Sequence, residues 1–340
     1  MRIVRCLQTG LAIGALLLSV AAAAQVIDAE RLAHIDAHAL AAPAEAEASP
    51  QQLAQYLVQP AQNDAEKARA IFRWIADRIT YDVNAYFHEK LEKVDAQQVL
   101  AQRGAVCDGY ATLFEALGRE AGLDVISIKG YAKAYGYFPG QVLDKPNHAW
   151  NAVSIDGQWR LIDSTWGAGY VRDGQYVKTV SEVFFLAAPE QLMFSHFPED
   201  EHWQLQATPH LTKPQFEALP TLEPAFFHTG IAGEQVWQTL QNAGFKGSFV
   251  RTFDMPYRMV QVQQAPLAYH LGLNQPQNFC IQTGAFEKMS VLLNDQWTEM
   301  HKEGSVFRLD FTPAANGTLM VVGKKPDAAN YTAILSYVVE

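Results

Sequence analysis

The chain has 340 residues, with 26 Lys and Arg against 36 Asp and Glu and a formal net charge of −10. No run of Lys or Arg interrupts that acidic balance, which excludes nucleic acid and an anionic membrane surface as main partners and leaves solubility as the role of the charge. The length exceeds one average core, so two domains are expected.

At the N-terminus, Arg2 and Arg5 precede an apolar run from Leu11 to Ala24 that closes on Ala22-Ala23-Ala24, just before Gln25. A basic start, a short apolar segment and a small-residue cleavage site describe a secretory signal peptide over 1–24, too short to favour a spanning helix. Cys6 precedes the apolar run, which speaks against a lipoprotein. The mature chain is expected to be exported, periplasmic or secreted, with no membrane insertion after cleavage. It keeps Cys107 and Cys280, too few for a disulfide scaffold. Cys280, in Asn278-Phe279-Cys280-Ile281, reads as a buried hydrophobe in a strand.

Residues 25–58 are expected to form an N-terminal helical arm. Its first part is Ala- and Glu-rich and loose; Ser49-Pro50-Gln51-Gln52 then has the form of a capping box opening a short helix through Val58. A first domain is expected over 59–194. Asn63-Asp64-Ala65-Glu66 starts its longer helix, where Ala68, Ile71, Phe72, Ile75, Ala76 and Ile79 recur at helical spacing. A third helix is predicted from about Asp108 to Ala121, with Gly122 as its stop. The period then changes to strands around Val125–Ile128, Ala149–Ile155 and Trp159–Ile162, the last two joined by the hairpin signal Asp156-Gly157. Helices followed by an antiparallel sheet give an α+β class. A polar, Pro-containing stretch over 195–220 is expected to be a linker. Over 221–340, short β-like runs separated by turn residues such as Asn316-Gly317 predict an all-β sandwich domain.

Cys107 stands in Arg103-Gly104-Ala105-Val106-Cys107-Asp108-Gly109-Tyr110-Ala111, directly before the third helix. Unpaired N–H groups and the dipole of a helix start favour thiolate, the nucleophilic form. Gly104 and Gly109 are expected to let the backbone turn tightly and a substrate approach closely. On its own, such a cysteine reads equally as a buried structural residue. The hairpin adds geometry. A two-residue turn pairs Ile155 with Gln158, so Asp163 faces Trp150 and becomes a same-side diagonal neighbour of His148, about 7–8 Å away along the backbone. A carboxylate there can orient an imidazole, as in a nucleophile–base–acid triad. A one-residue slip would place the two on opposite faces. His34 and His38 have a metal-compatible i,i+4 spacing but no third ligand nearby, so no metal and no cofactor is expected.

Four blocks in this order, Cys107-Asp108-Gly109-Tyr110-Ala111, Gly130-Tyr131-Ala132-Lys133, Asn147-His148-Ala149-Trp150-Asn151-Ala152-Val153 and Leu161-Ile162-Asp163-Ser164-Thr165-Trp166-Gly167, strongly resemble the transglutaminase-like superfamily, in particular its kyphoscoliosis peptidase-like branch. Lys67–Ile75 and Ile79-Thr80-Tyr81-Asp82 are similar to that family's opening segment, so the resemblance spans about 60–190. It implies a papain/transglutaminase-like core, with Cys107 as nucleophile, His148 as base and Asp163 as orienting acid. Val106 stands where many transglutaminases have Gln, and Gln102 is near, but not on, the papain-type spacing. The Cys107 N–H is one oxyanion donor; Tyr81 is the other candidate, or a core tyrosine at a helix end. Trp150, Trp159 and Trp166 either line a cleft or fill the sheet core, and the loop Tyr131–Val142 is expected to border the site. The implied activity is attack on a peptide or protein amide through a thioacyl intermediate, resolved by water (peptidase or amidase) or by an amine (transglutaminase). A binding or scaffold protein that keeps the fold without turnover is the alternative.

Overall fold

The computed structural model of the chain describes residues 29–88, 94–138, 140–205, 210–222, 224–242, 247–253, 255 and 259–340. The signal peptide expected over 1–24 lies outside them. Helix α1 (Ala29–Leu40) opens the described chain, followed by α2 (Pro50–Leu57) and α3 (Asp64–Arg78). Ser49 caps α2 by accepting from the Gln52 N–H, with Pro50 in its first turn, and Asn63 caps α3 by accepting from the Glu66 N–H at 2.9 Å. The expected loose arm is docked instead. Ile35 and Ala39 of α1 are buried, Arg31 pairs with Glu66 at 2.6 Å, and Asp36 binds the fully buried Arg69 through two 2.7 Å hydrogen bonds. Apolar burial at i and i+4 gives the helix its seat, and the ion pairs fix its register on α3.

The short strand β1 (Thr80–Tyr81) leads into α4 (Val83–Phe87) and α5 (Ala96–Gln102). Strand β2 (Gly104–Ala105) pairs in parallel with β1 and delivers the chain to α6 (Cys107–Glu120). The turn before β2 falls on Arg103, whose φ is 58°. Gly109 serves contact rather than a turn, since a Cβ there would lie 2.6 Å from the Ala105 Cβ.

Strands β3 (Val125–Ala132), β4 (His148–Ile155) and β5 (Gln158–Ile162) follow. The β4–β5 register has Ile155 opposite Gln158 and Asn151 opposite Ile162, as the Asp156-Gly157 turn predicts. Both turn residues have positive φ, 51° and 75°, the backbone that such tight hairpins require. Helix α7 (Ser164–Ala168), the hairpin β6 (Gly169–Arg172) and β7 (Gln175–Lys178), and α8 (Pro189–Leu192) complete 59–194.

The 195–220 stretch is not a linker. Strand β8 (His196–Pro198) adds antiparallel to β3, giving a four-stranded sheet in the order β5-β4-β3-β8. Helix α9 (Lys213–Ala218) follows, and Phe197, Leu211, Phe216 and Leu219 are buried. The physical reason is apolar content: at roughly 1.5–3 kcal/mol per buried large side chain, four anchors outweigh a polar composition. One face of the sheet (Val125, Val153, Ile162) packs on α2, α3 and α6, while the other (Ile128, Trp150, Leu161) joins the core that runs on into the C-terminal region.

That C-terminal region begins with two helices the β-like reading did not anticipate, α10 (Pro224–His228) and α11 (Gly233–Asn242). Strands follow among the described residues: β9 (Arg251–Thr252), β10 (Gln261–Gln264), β11 (His270–Leu271), β12 (Gln277–Gln282), β13 (Lys288–Leu293), β14 (Gln296–Glu299), β15 (His301–Glu303), β16 (Val306–Phe311), β17 (Gly317–Lys324) and β18 (Thr332–Val339). One sheet runs β10-β12-β16-β15 and the other β11-β18-β17-β13-β14, with β9 on β18. Phe279 of the first sheet meets Tyr337 of the second at 6.0 Å between ring centroids, so the inner faces form a β-sandwich core. Cys280 is buried on β12, where its thiol donates to Gln263 Oε1 at 3.1 Å.

Candidate active site

Three elements converge on one point. Cys107 is the first residue of α6, and the residue before it, Val106, supplies no capping side chain. By contrast α2, α3, α4, α5 and α7 are capped by Ser49, Asn63, Asp82, Asp95 and Asp163. No side chain caps the N–H groups of Cys107 and Asp108, which leaves them for a thiolate or an oxyanion, while the Gly109 N–H is taken by the Val106 carbonyl at 3.0 Å. Asp108, the acid of that turn, is balanced by Lys129 at 3.4 Å.

His148 opens β4 and Asp163 follows the last residue of β5. The ladder ends at Asn151–Ile162, and Asp163 turns out of the sheet to cap α7. Its Oδ1 accepts from the N–H groups of Thr165 and Trp166 at 2.8 and 3.1 Å, and its Oδ2 faces His148 Nε2 at 2.8 Å. The sequence-derived hairpin geometry thus brings the pair together as expected. The Cys107 thiol adds to the upward shift of the same imidazole's pKa, and with Nε2 committed to Asp163 the ring nitrogen left to it is Nδ1.

His148 and Asp163 are both buried, 7% and 0% exposed, so their charges are set by each other. Burial alone would push the His148 pKa down; the Asp163 carboxylate, by charge and hydrogen bond, and then the Cys107 thiol hold it well above the usual imidazole range. Burial alone would raise Asp163; the charge of His148 and hydrogen bonds from His148 and His196 hold it well below the usual carboxylate range. This is the signature of an ion pair whose partners stabilise each other's charged form.

Sequence reasoning missed His196. It lies on β8, 4% exposed, with Nε2 at 3.0 Å from the same Asp163 Oδ2. Desolvation lowers its pKa, and the charge of His148 opposes the upward pull of Asp163. Two histidines and one carboxylate with ligand atoms within 4.8 Å of one another raise the question of a metal. Both Nε2 atoms, however, point at one oxygen at hydrogen-bond length, which requires protons on them rather than lone pairs. His34 and His38 do not form a site either: His34 is exposed, and His38 Nε2 bonds the Tyr56 carbonyl at 2.8 Å.

The remaining sequence candidates separate clearly. Tyr81, carried beside Cys107 by the β1–β2 pairing, has its phenol pKa raised by burial and then by Cys107, so it is a neutral donor facing the thiol. Gln102 is an exposed residue at the end of α5. Trp150 is 1% exposed and stacks with His148 at 6.0 Å between ring centroids, so it packs against the imidazole within the core rather than lining an open cleft. A Cβ on Gly130 would lie 2.6 Å from the Trp150 ring, so that glycine makes room for it. Trp166 is half-buried, 5.3 Å from His148 and 4.6 Å from His196 by ring centroids. From Tyr81 a file of rings runs outward through Tyr86 (6.0 Å) and Phe87 (5.3 Å) to Tyr135 (5.8 Å). Its last two members are exposed, and Tyr135 belongs to the loop expected to border the site.

Residues 51–164, which contain Cys107, His148 and Asp163, match the family model described as the transglutaminase-like superfamily. Kyphoscoliosis peptidase of Mus musculus is 34% identical over 224 residues, covering 65% of this chain and 32% of the relative. Hillarin of Drosophila melanogaster is 31% identical over 194 residues, 53% of this chain and 23% of its own length. Cytokinesis protein 3 of Schizosaccharomyces pombe is 29% identical over 194 residues, 56% of this chain and 21% of its own. The chain spans a third or less of the length of each of these relatives. With its matched segment carrying the ordered Cys, His and Asp blocks, the chain contains a domain of the transglutaminase-like superfamily, on the branch that includes kyphoscoliosis peptidase.

Proposed function

We propose that this chain is an exported thiol enzyme that cleaves amide bonds by acyl transfer through Cys107, acting on envelope or extracellular peptides. The carrying observation is the single imidazole of His148 held between a buried carboxylate at 2.8 Å and a thiol at an uncapped helix start. In this reading the resting pair is thiolate and imidazolium. The thiolate attacks the amide carbon, and the oxyanion is met by the Cys107 N–H and the Tyr81 hydroxyl. The C–N bond breaks as His148 gives its Nδ1 proton to the leaving amine, forming a thioester. Neutral His148 then takes a proton from water, the resulting hydroxide adds to the thioester carbon, and the C–S bond breaks to release the carboxylic acid and restore the thiolate–imidazolium pair. Asp163 keeps the ring oriented and balances its charge throughout.

Hydrolysis is favoured over amine transfer because, among the described residues, no group near Cys107 marks an acceptor-amine site, while the exposed Phe87 and Tyr135 offer apolar contact to a peptide. Incubation of the protein with a peptide library and an amine donor, read by mass spectrometry, tests this directly. Cleaved peptides support hydrolysis of the chain, deamidation or amine addition points to transglutaminase chemistry, and an unchanged library contradicts the enzyme reading. Two relatives bear names that describe no enzyme, hillarin and cytokinesis protein 3. A scaffold role therefore stands as the second reading, favoured if Cys107 shows ordinary thiol behaviour toward iodoacetamide at mildly acidic pH. Export is tested by N-terminal sequencing of the mature protein, expected to begin at Gln25.

A further inference from the structure

Asp163 serves two imidazoles, and the triad uses only one of them. We infer that His196 is a positioning residue of the thiol site, a fourth member that locks the Asp163 carboxylate in the orientation His148 needs. The inference rests on the acyl-transfer reading above.

The sheet sets the two histidines in register around β3. His148 pairs with Gly130 on one side of that strand, and His196 pairs with Ala132 on the other. Their rings lie 5.2 Å apart, boxed by Trp150, Trp166 and Phe184, and among the described residues the titratable groups that act on His196 are Asp163 and His148. Counting protons fixes the ring. An ionised Asp163 can only accept, so His196 Nε2 carries a hydrogen. A neutral ring then leaves Nδ1 bare, so the Ser195 hydroxyl, 2.8 Å from Nδ1 and 3.2 Å from the Leu192 carbonyl, gives its one proton to the nearer ring nitrogen. Ser195 thereby prevents a ring flip, and His196 occupies the second lone pair of Asp163 Oδ2 while the helix α7 amides hold Oδ1. All four contacts on the carboxylate are then satisfied, and it cannot rotate without breaking two of them.

Neutrality matters as much as geometry. A cationic His196 would compete with His148 for one carboxylate and weaken the field that keeps His148 charged. A neutral N–H stabilises Asp163 without that competition. The alternative use of the cluster, zinc binding, requires both Nε2 atoms stripped of protons at about 2.0–2.1 Å from a cation.

The test uses the full chain with His196→Ala, His196→Gln and His148→Ala, circular dichroism to confirm folding, and two readouts that need no substrate. These are the histidine ¹⁵N NMR titration and the rate of Cys107 alkylation by iodoacetamide between about pH 5 and 9. In His196→Ala, His148 should lose about tenfold in proton affinity and Cys107 about threefold to tenfold in alkylation rate at the acidic end. His196→Gln, whose amide can donate to Oδ2, should recover most of both. A folded His196→Ala protein with both readouts unmoved would reduce His196 to packing and overturn the inference. If His148→Ala leaves alkylation unchanged, the acyl-transfer reading itself fails, while the NMR titration still judges His196. Should the variants not fold, the wild-type spectrum decides: a neutral Nε2–H tautomer at neutral pH supports the inference, and a charged His196 overturns it. Stoichiometric zinc retained after dialysis against zinc, and lost in His196→Gln, would also overturn it.

Discussion

Replacing Asp163 by Asn exchanges one carboxylate oxygen at the centre of the site for an NH₂ group and separates its two jobs. As a helix cap, Asn is about as good as Asp, so the amide oxygen can keep the Thr165 and Trp166 N–H groups and α7 should persist. The new NH₂ group then faces His148 Nε2 and His196 Nε2, 2.8 and 3.0 Å from the former Oδ2, donor against donor. The conflict is relieved when His148 moves its proton to Nδ1, toward Cys107, where it can no longer accept one. Two charge-assisted hydrogen bonds are lost, about 3–6 kcal/mol together. About 1.4–4 kcal/mol of this should appear in the barrier, a fall in turnover of roughly 10–10³. The remainder should appear as lost stability. The expected rate loss is smaller than the ~10⁴ of the serine-protease triad, because a thiol depends less on its base than a hydroxyl does. Steady-state kinetics on a cleaved peptide, with urea unfolding in parallel, measure both parts. A folded Asp163→Asn protein with unchanged turnover would refute the reasoning and reduce Asp163 to a helix cap.

Tyr81→Phe, which removes only the hydroxyl facing Cys107, should lower kcat by about 10² with little change in KM or circular dichroism, as expected for an oxyanion donor. Arg69→Met strips the buried cation that ties Asp36 of α1 to Glu182 and should cost about 3 kcal/mol in chemical denaturation, loosening the N-terminal helix first. Stability should also follow the site's charges. Asp163 is held below its unfolded value, so its contribution is present above about pH 4 and is lost as the pH falls further. His148 is held above its unfolded value, so its contribution is complete below about pH 6.5 and fades as the pH rises past it. His196, held neutral, acts in the opposite sense, present above about pH 6.5 and lost on acidification. Urea midpoints across the pH range should therefore fall steeply on the acid side, and Asp163→Asn should flatten that limb.

The parts of the fold legible in the sequence are those governed by local rules. Ser49 and Asn63 cap the helices they announce, and Asp156-Gly157 sets a register that places Asp163 within reach of His148. His196 was not legible because its role depends on β8, three residues long, finding β3 more than sixty positions earlier in the chain. A tally of Pro and polar residues hid that pairing, although Phe194, Phe197, Leu211 and Phe216 are more apolar anchors than a linker needs. Helix α11 did leave a local signal, the spacing of Val236, Trp237 and Leu240, all buried on one face. Trp150 shows the limit of composition: an aromatic near a catalytic motif reads as cleft lining or as core, and only packing against His148 and Gly130 decides for the core.

The central claim is that amide cleavage passes through a thioester on Cys107. Rapid acid quenching of the enzyme with a cleaved peptide, followed by intact and peptide mass spectrometry, measures it directly. The account predicts an acyl mass addition on the peptide that contains Cys107, released by hydroxylamine and missing in Cys107→Ala, which should also have no turnover. Full cleavage by a Cys107→Ala protein, with no adduct on the wild type, would contradict it.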